Sequence, residues 1–493
     1  MGDTPTIAII GAGAGGLVMG IRLKRAGIDS FTIFEKSDGV GGTWRDNSYP
    51  GAACDIQSHM YSFSFELNPN WSRPYGTQPE ILAYFEHCAD KYDLRPHLRC
   101  NTAISEARWD GDACCWHLRA EDGSEHMADV LVSALGMLNV PNYPAIPGIE
   151  DFEGALFHSA RWDHGVDLEG KRIGSIGTGA SSVQFLPEVA KVAGQLHVFQ
   201  RSPTWVMPKV DDEFTEAERT AFARRGRARL HRWKIFARYE RMTSFRVADE
   251  TTAEREAIAR AHLDRVISDT NLRKKLTPDF PIGCKRLLLT NDYFPIYNRA
   301  NVELVTSPIS RITPGGVVTE DGTERGIDVL ILGTGFKAAD HLGAVDIYGD
   351  SGRRLADQWA DGAEAHLGIT VKGFPNLFML YGPNTNQGGN SIIFIHESQV
   401  HYIMGAIRAL RRKRGALAVK ASVQDAYNAK IQRAMAGTVW DGGCTNYFRG
   451  PSGKITTQFP YPARQYWAWT RRFKGSDFTF TPSETRALQP TRV

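Results

Sequence analysis

An α/β fold carrying two parallel-sheet dinucleotide-binding units and a helical insertion is predicted by three features of this 493-residue sequence. Two glycine-rich loops, GAGAGG at residues 11–16 and GTGASS at 177–182, each follow a short apolar run and precede a helical pattern. The octet DVLVSALG at 129–136 is echoed by DVLILGTG at 328–335, which predicts an equivalent strand closing each unit. Between the second loop and that echo, residues 211–276 turn highly charged and helix-favouring, with few glycines. A chain of this length exceeds one small core and divides into two or three domains. The expected architecture is two Rossmann-like domains interleaved in sequence, residues 1–140 with 366–493 and residues 141–210 with 280–365, and a helical insertion at 211–279.

The first unit runs from the strand-like TIAII through Gly11, Gly13 and Gly16 into a helix, then into a second apolar run that ends in Glu35. The glycines let a pyrophosphate reach the helix N-terminus, and an acid 24 residues beyond the first glycine suits a ribose hydroxyl. The second unit keeps Gly177, Thr178 and Gly179 but has Ser182 at the third glycine position, which loosens the expected packing of helix on strand. Where the first unit reads FEK, the second reads FQR, placing Arg201 24 residues beyond Gly177. A carboxylate repels a 2′-phosphate and a guanidinium pairs with it, so the pattern predicts FAD in the first unit and NADPH in the second.

Composition narrows the partners. A net charge of +3 from 58 basic and 55 acidic residues gives no overall nucleic-acid signal, and the basic run at 224–234 reads as solvated helix faces. No apolar run approaches the roughly 20 residues that span a bilayer, so no membrane partner is expected. Seven cysteines without regular spacing argue against a secreted disulfide framework and for a reducing, cytoplasmic setting. No metal site is expected, and oligomeric state is open.

Two further stretches carry the function. Residues 41–55 read GGTWRDNSYPGAACD, and residues 152–163, between the two glycine loops, read FEGALFHSARWD. The second matches FxGxxxHxxxW ending in aspartate at Phe152, Gly154, His158, Trp162 and Asp163. Together they resemble the fingerprints of type I Baeyer–Villiger monooxygenases. The resemblance extends from Gly42, Thr43, Trp44 and Asp55 through Tyr61 to the TQPEIL segment at 77–82, and on to CKRLLLTNDYFPIYNR from residue 284.

That resemblance implies FAD, NADPH and dioxygen acting on a small ketone through a flavin C4a-peroxide to give an ester or lactone. It assigns Arg286 to stabilising the anionic oxygen without donating a proton, and Asp55 to orienting Arg286. Lys285 and Arg201 would hold the 2′-phosphate. Gly154, His158 and Trp162 would govern domain rotation, and Tyr447 stands where many relatives have a substrate-facing tryptophan. Two other readings stay open at this level: oxygenation of sulfur or nitrogen, thioethers included, and a catalytically silent flavoprotein.

Overall fold

Strands that read as continuous apolar runs are buried on both faces, as central parallel strands must be. In the computed structural model, which describes residues 4–483 except 243, 244, 248, 344, 443, 445 and 451, Ile7–Ile10 lies in parallel between Phe31–Phe34 and Val130–Ser133. Leu98–Arg99 and Leu377–Met379 complete this five-stranded sheet at its two edges. The second sheet repeats the plan. Arg172–Ile176 lies between Gln195–Phe199 and Val329–Leu332, with Val302–Val305 and Ala155–His158 at the edges.

The echoed octets occupy equivalent places in the two sheets, next to the strand that feeds each glycine loop. Their aspartates do the same work. Asp129 accepts the Thr6 backbone N–H at 2.8 Å, and Asp328 accepts that of Arg172 at 2.9 Å, each tying the closing strand to the start of the first.

The third loop position shows how the second unit accommodates Ser182. In the first unit, the Gly16 position has no room for a Cβ, which would run into the Gly11 carbonyl. In the second, the buried Ser182 hydroxyl fills the space beside Gly333, where a Cβ would collide with it. The bulkier third position is thus accommodated by a glycine on the neighbouring strand.

The chain returns towards the first unit earlier than the expected boundary at residue 365. Asp346–Tyr348 pairs in parallel with Ile104–Asp110, at the edge of an antiparallel meander with Cys115–Ala120 and Glu125–Ala128. Residues 152–163 supply one edge of the second sheet. Ala155–His158 is an ordered edge strand paired with Val329–Leu332.

The charged segment is helical, in four pieces: Glu216–Ala223, Arg227–Met242, Glu250–Val266 and Thr270–Leu276. Its breaks have local causes. Gly226 takes φ +81°, and Asp269 accepts from the backbone N–H groups of Asn271 and Leu272, starting a new helix.

Inserted in the second unit, the segment is nonetheless pinned to the first by two buried charges on one helix. Arg232 donates to the carbonyls of His59, Met60 and Ser62 at 2.8–2.9 Å. Glu240 accepts from the Asn390 side chain and from the backbone N–H of Ala463 and Arg464, capping the helix Ala463–Thr470.

The cysteine reading needs one correction. Cys284 and Cys444 form a disulfide across 160 residues of sequence. Spacing gave no sign of it, because the fold alone brings these positions together. No helix among the described residues is long and apolar enough to cross a membrane.

Candidate active site at the seam between the nucleotide units

Glycine is required in the first loop because backbone approaches backbone. Gly11 takes φ +104°, and a Cβ there would meet the Ala134 carbonyl at 2.6 Å. Gly13 faces Gly42, which has φ +53° and would itself bring a Cβ within 2.9 Å of the Gly13 Cα. The two glycines therefore border a cradle, at the N-terminus of the helix Ala14–Arg25, that any side chain would fill. Buried Glu35 closes its far side, accepting the N–H groups of Ala12 at 2.7 Å and Ser37 at 2.9 Å. Each carboxylate oxygen keeps a lone pair for a further donor. Thr43 starts a short helical turn, Thr43–Asp46, and the Trp44 indole donates to the buried-side Tyr61 hydroxyl at 2.9 Å. These residues fit a flavin dinucleotide laid along the loop.

The second loop leads to a cluster of cations. Gly177 takes φ +108°, and a Cβ on Gly179 would meet nothing within 4 Å, so the loop mouth is open. Thr178 donates to the Ser202 carbonyl at 3.2 Å, and the Lys285 ammonium donates to the Ser202 hydroxyl at 2.8 Å. Burial and, after it, the nearby Arg201 charge hold the Lys285 pKa below its ordinary value. Two cations held together, with the Asp279 charge the smallest of the influences on Lys285, are what a phosphate would neutralise, so the residues fit NADPH.

Between the two loops, residues 46–55 form a seam. Asp46 faces Arg161 at 3.6 Å, and Ser48 meets the His164 ring at 2.9 Å. The Tyr49 hydroxyl donates to the Gln184 side chain at 2.9 Å, which in turn donates to the Ala53 carbonyl at 3.0 Å. At the end of the row, Arg286 Nη2 and Nε reach Asp55 Oδ2 at 3.1 and 3.3 Å. Residues 231 positions apart are therefore ion-paired. The Arg286 side chain is about half open to solvent, so desolvation by its crowded neighbours acts against its charge only in part, and Asp55, with the phenols of Tyr447 and Tyr381 nearby, raises its pKa above the ordinary value. Arg286 is held in place because Leu288–Leu289, two residues on, pairs with Val206–Met207.

The 152–163 stretch braces this seam from the second unit. An added Cβ on Gly154 would strike the Asp328 carbonyl and the Phe152 ring. Trp162 packs against Phe157 and Phe185, with ring centroids 5.1 and 5.4 Å apart. His158 accepts from the Ala160 N–H at 3.0 Å, and burial lowers its pKa. Asp163 closes a turn by accepting from Gly165. Tyr447 is near enough for its phenol to act on the Arg286 charge, and it is 46% exposed.

The profile of the flavin-binding monooxygenase-like family matches residues 4–232. A Baeyer–Villiger monooxygenase of Pseudomonas aeruginosa is 44% identical over 98% of this chain and 92% of its own length. The chain belongs to the Baeyer–Villiger monooxygenases. The closed crystal structure of cyclohexanone monooxygenase superposes on this member of the family with a TM-score of 0.87 at 28% identity, covering 98% of this chain and all of that one. Oxidised steroid monooxygenase bound to NADP gives 0.85 at 31%, covering 97% and 100%. As a Baeyer–Villiger monooxygenase, this protein is an oxidoreductase that uses FAD and NADPH.

Sequence reasoning missed Ser202, Gln184 and the Arg161–Asp46 pair. Ser202 directly follows Arg201 at the end of a strand, where the ligand side of a parallel sheet lies, and that position was the available signal. Nothing in the sequence marks Gln184 as a contact between units.

Proposed function

We propose that this Baeyer–Villiger monooxygenase inserts one oxygen atom of O₂ next to the carbonyl of a small ketone, with Arg286 as the residue facing the reacting oxygen. The overall reaction consumes ketone, O₂, NADPH and a proton, and yields ester or lactone, NADP⁺ and water. When bound, FAD reduced by NADPH supplies the activation of dioxygen. The chain's own residues supply charge, position and shelter.

The observation that carries the reading is the Arg286–Asp55 pair spanning the seam between the two nucleotide loops. A guanidinium whose pKa is raised stays cationic throughout the working range, so it stabilises negative charge on oxygen without releasing a proton to it. Asp55 fixes the guanidinium plane by accepting from two of its nitrogens. Arg201, Ser202 and Lys285 would hold the coenzyme's 2′-phosphate, and Gly11, Gly13, Gly42 and Glu35 the flavin dinucleotide. Gly154, His158 and Trp162 would set the angle between the units, and Tyr447 would border the substrate.

A panel of cyclic, linear and aryl ketones with one thioether, incubated with NADPH under ¹⁸O₂, tests the reading. Ester or lactone carrying a single ¹⁸O is expected from at least one ketone. Sulfoxide as the sole product across the panel would overturn it.

A further inference from the structure

The Cys284–Cys444 disulfide crosses the candidate site at a place no other covalent link reaches among the described residues. Cys284 is fully buried, one residue before Lys285 and two before Arg286. Cys444 is partly exposed, three residues before Tyr447. The bond therefore ties the segment that presents Arg286 to the C-terminal loop that presents Tyr447, their Cα atoms 6.3 Å apart. The Asn446 side chain folds over the pair, its amide nitrogen 3.8 Å from the Cys284 sulfur and 4.0 Å from that of Cys444. Its oxygen accepts the Phe448 N–H at 3.1 Å, so one side chain links the disulfide to the residues on either side of Tyr447.

A partly exposed cysteine next to a buried one is the arrangement in which a small oxidant meets one thiol and the second resolves it. We propose that Cys284 and Cys444 are a redox-modification site, closed by hydrogen peroxide, that latches the Tyr447 loop over Arg286. The Cys444 thiolate attacks one oxygen of H₂O₂, the O–O bond breaks, and the departing hydroxide takes up a proton to leave as water. Cys444 is then a sulfenic acid. The Cys284 thiolate attacks that sulfur, the S–O bond breaks, and a second water leaves as the disulfide forms. Two thiols and one peroxide give one disulfide and two waters, with two electrons passing from sulfur to oxygen. A small dithiol reverses the reaction by exchange.

The source of peroxide rests on the function proposed above. A monooxygenase that consumes NADPH and O₂ without oxygenating substrate yields NADP⁺ and H₂O₂. An open Tyr447 loop favours that waste, because it admits water to the site. Peroxide made there closes the loop, and the closed site couples NADPH consumption to oxygenation again.

The test uses the full-length holoenzyme, reduced with dithiothreitol, desalted and divided. One half receives one molar equivalent of H₂O₂. Peptide mass spectrometry without reduction reads the Cys284–Cys444 cross-link, and turnover with a ketone reads H₂O₂ released per NADPH consumed. Peroxide should restore the cross-linked peptide, and the oxidised form should release severalfold less H₂O₂ per NADPH, with a lower ketone KM, than the dithiol form. Cys444→Ser should behave as the dithiol form and respond to neither reagent.

No cross-linked peptide after peroxide, or equal coupling in the two forms, overturns the proposal. So does a Cys444→Ser enzyme that still responds. The two readings fail separately: an enzyme that makes ester but no cross-link overturns the latch alone. One that forms the cross-link but makes no ester in either form overturns the oxygenase reading and with it the coupling role of the latch, leaving only the peroxide-formed cross-link.

Discussion

Arg286 and Lys285 are neighbours in sequence with opposite electrostatic fates. Arg286 faces a carboxylate and has its pKa raised, whereas Lys285 has its pKa lowered, first by burial and then by the Arg201 charge. The first is suited to permanent charge, and the second to releasing strain when an anion arrives. Replacing Arg201 with Ala should raise the KM for NADPH by about tenfold or more, the cost of a lost charge-assisted contact, and leave that for NADH nearly unchanged. Equal effects on both coenzymes would contradict the assignment.

Lys285 binds phosphate only when protonated. With its pKa below the ordinary lysine value, kcat/KM for NADPH should fall as pH rises, through an inflection earlier than a free lysine would give. In Arg201→Ala that inflection should move to higher pH, since a repelling charge is gone. At this scale the FQR pattern singled out Arg201, and the family resemblance singled out Arg286 and Asp55. The sequence was silent on Ser202 and Gln184, because single polar residues of common type leave no pattern.

The two βαβ units were legible because a buried parallel strand is a continuous apolar run and a glycine loop at its end has few other uses. The three-residue strand Asp346–Tyr348 was not, since its place depends on a partner more than 200 residues away. The helices of residues 211–276 were visible as a charged, helix-favouring segment, but their docking was not. That depends on two charges, Arg232 and Glu240, which look like any others on a solvated face until the fold buries them.

Two element-level outcomes follow. Gly154→Ala sets a methyl against the Asp328 carbonyl and should cost about 1–3 kcal/mol of stability, read as a lowered urea midpoint at unchanged slope. Glu240→Ala leaves Asn390 and two helix-terminal N–H groups without their acceptor. Limited proteolysis should then cut the 211–279 segment faster than in wild type, with Glu240→Gln intermediate because its amide oxygen still accepts.

Across the whole molecule, the two nucleotide units meet along residues 46–55, so the contacts that define the site also hold the units in register. Cross-unit contacts of this kind were the least legible feature, because each joins residues with no relation in sequence. The family resemblance supplied the Asp55–Arg286 pairing, and the fold supplied the three contacts beside it.

Elsewhere the fold buries several histidines as neutral rings, among them His59, which burial pushes down to about 3. Burial pushes His341, His366 and His396 down to about 4. Their unfolded forms bind protons below about pH 6.5 while the native forms do not, so stability is complete above that pH and drains as pH falls towards 4. Each histidine contributes at most about 1.4 kcal/mol per pH unit. Urea midpoints measured from pH 7 to 4 should fall steadily, and a flat profile would contradict the buried, neutral assignment.

The central claim is that a fixed positive charge at the seam makes oxygen transfer to a carbonyl productive. It is tested most directly in Arg286→Ala by measuring flavin reduction by NADPH without oxygen and, separately, ester formed per NADPH consumed with oxygen and ketone. The account predicts reduction near the wild-type rate with ester lost and H₂O₂ in its place. Ester formation at the wild-type rate and yield would contradict it.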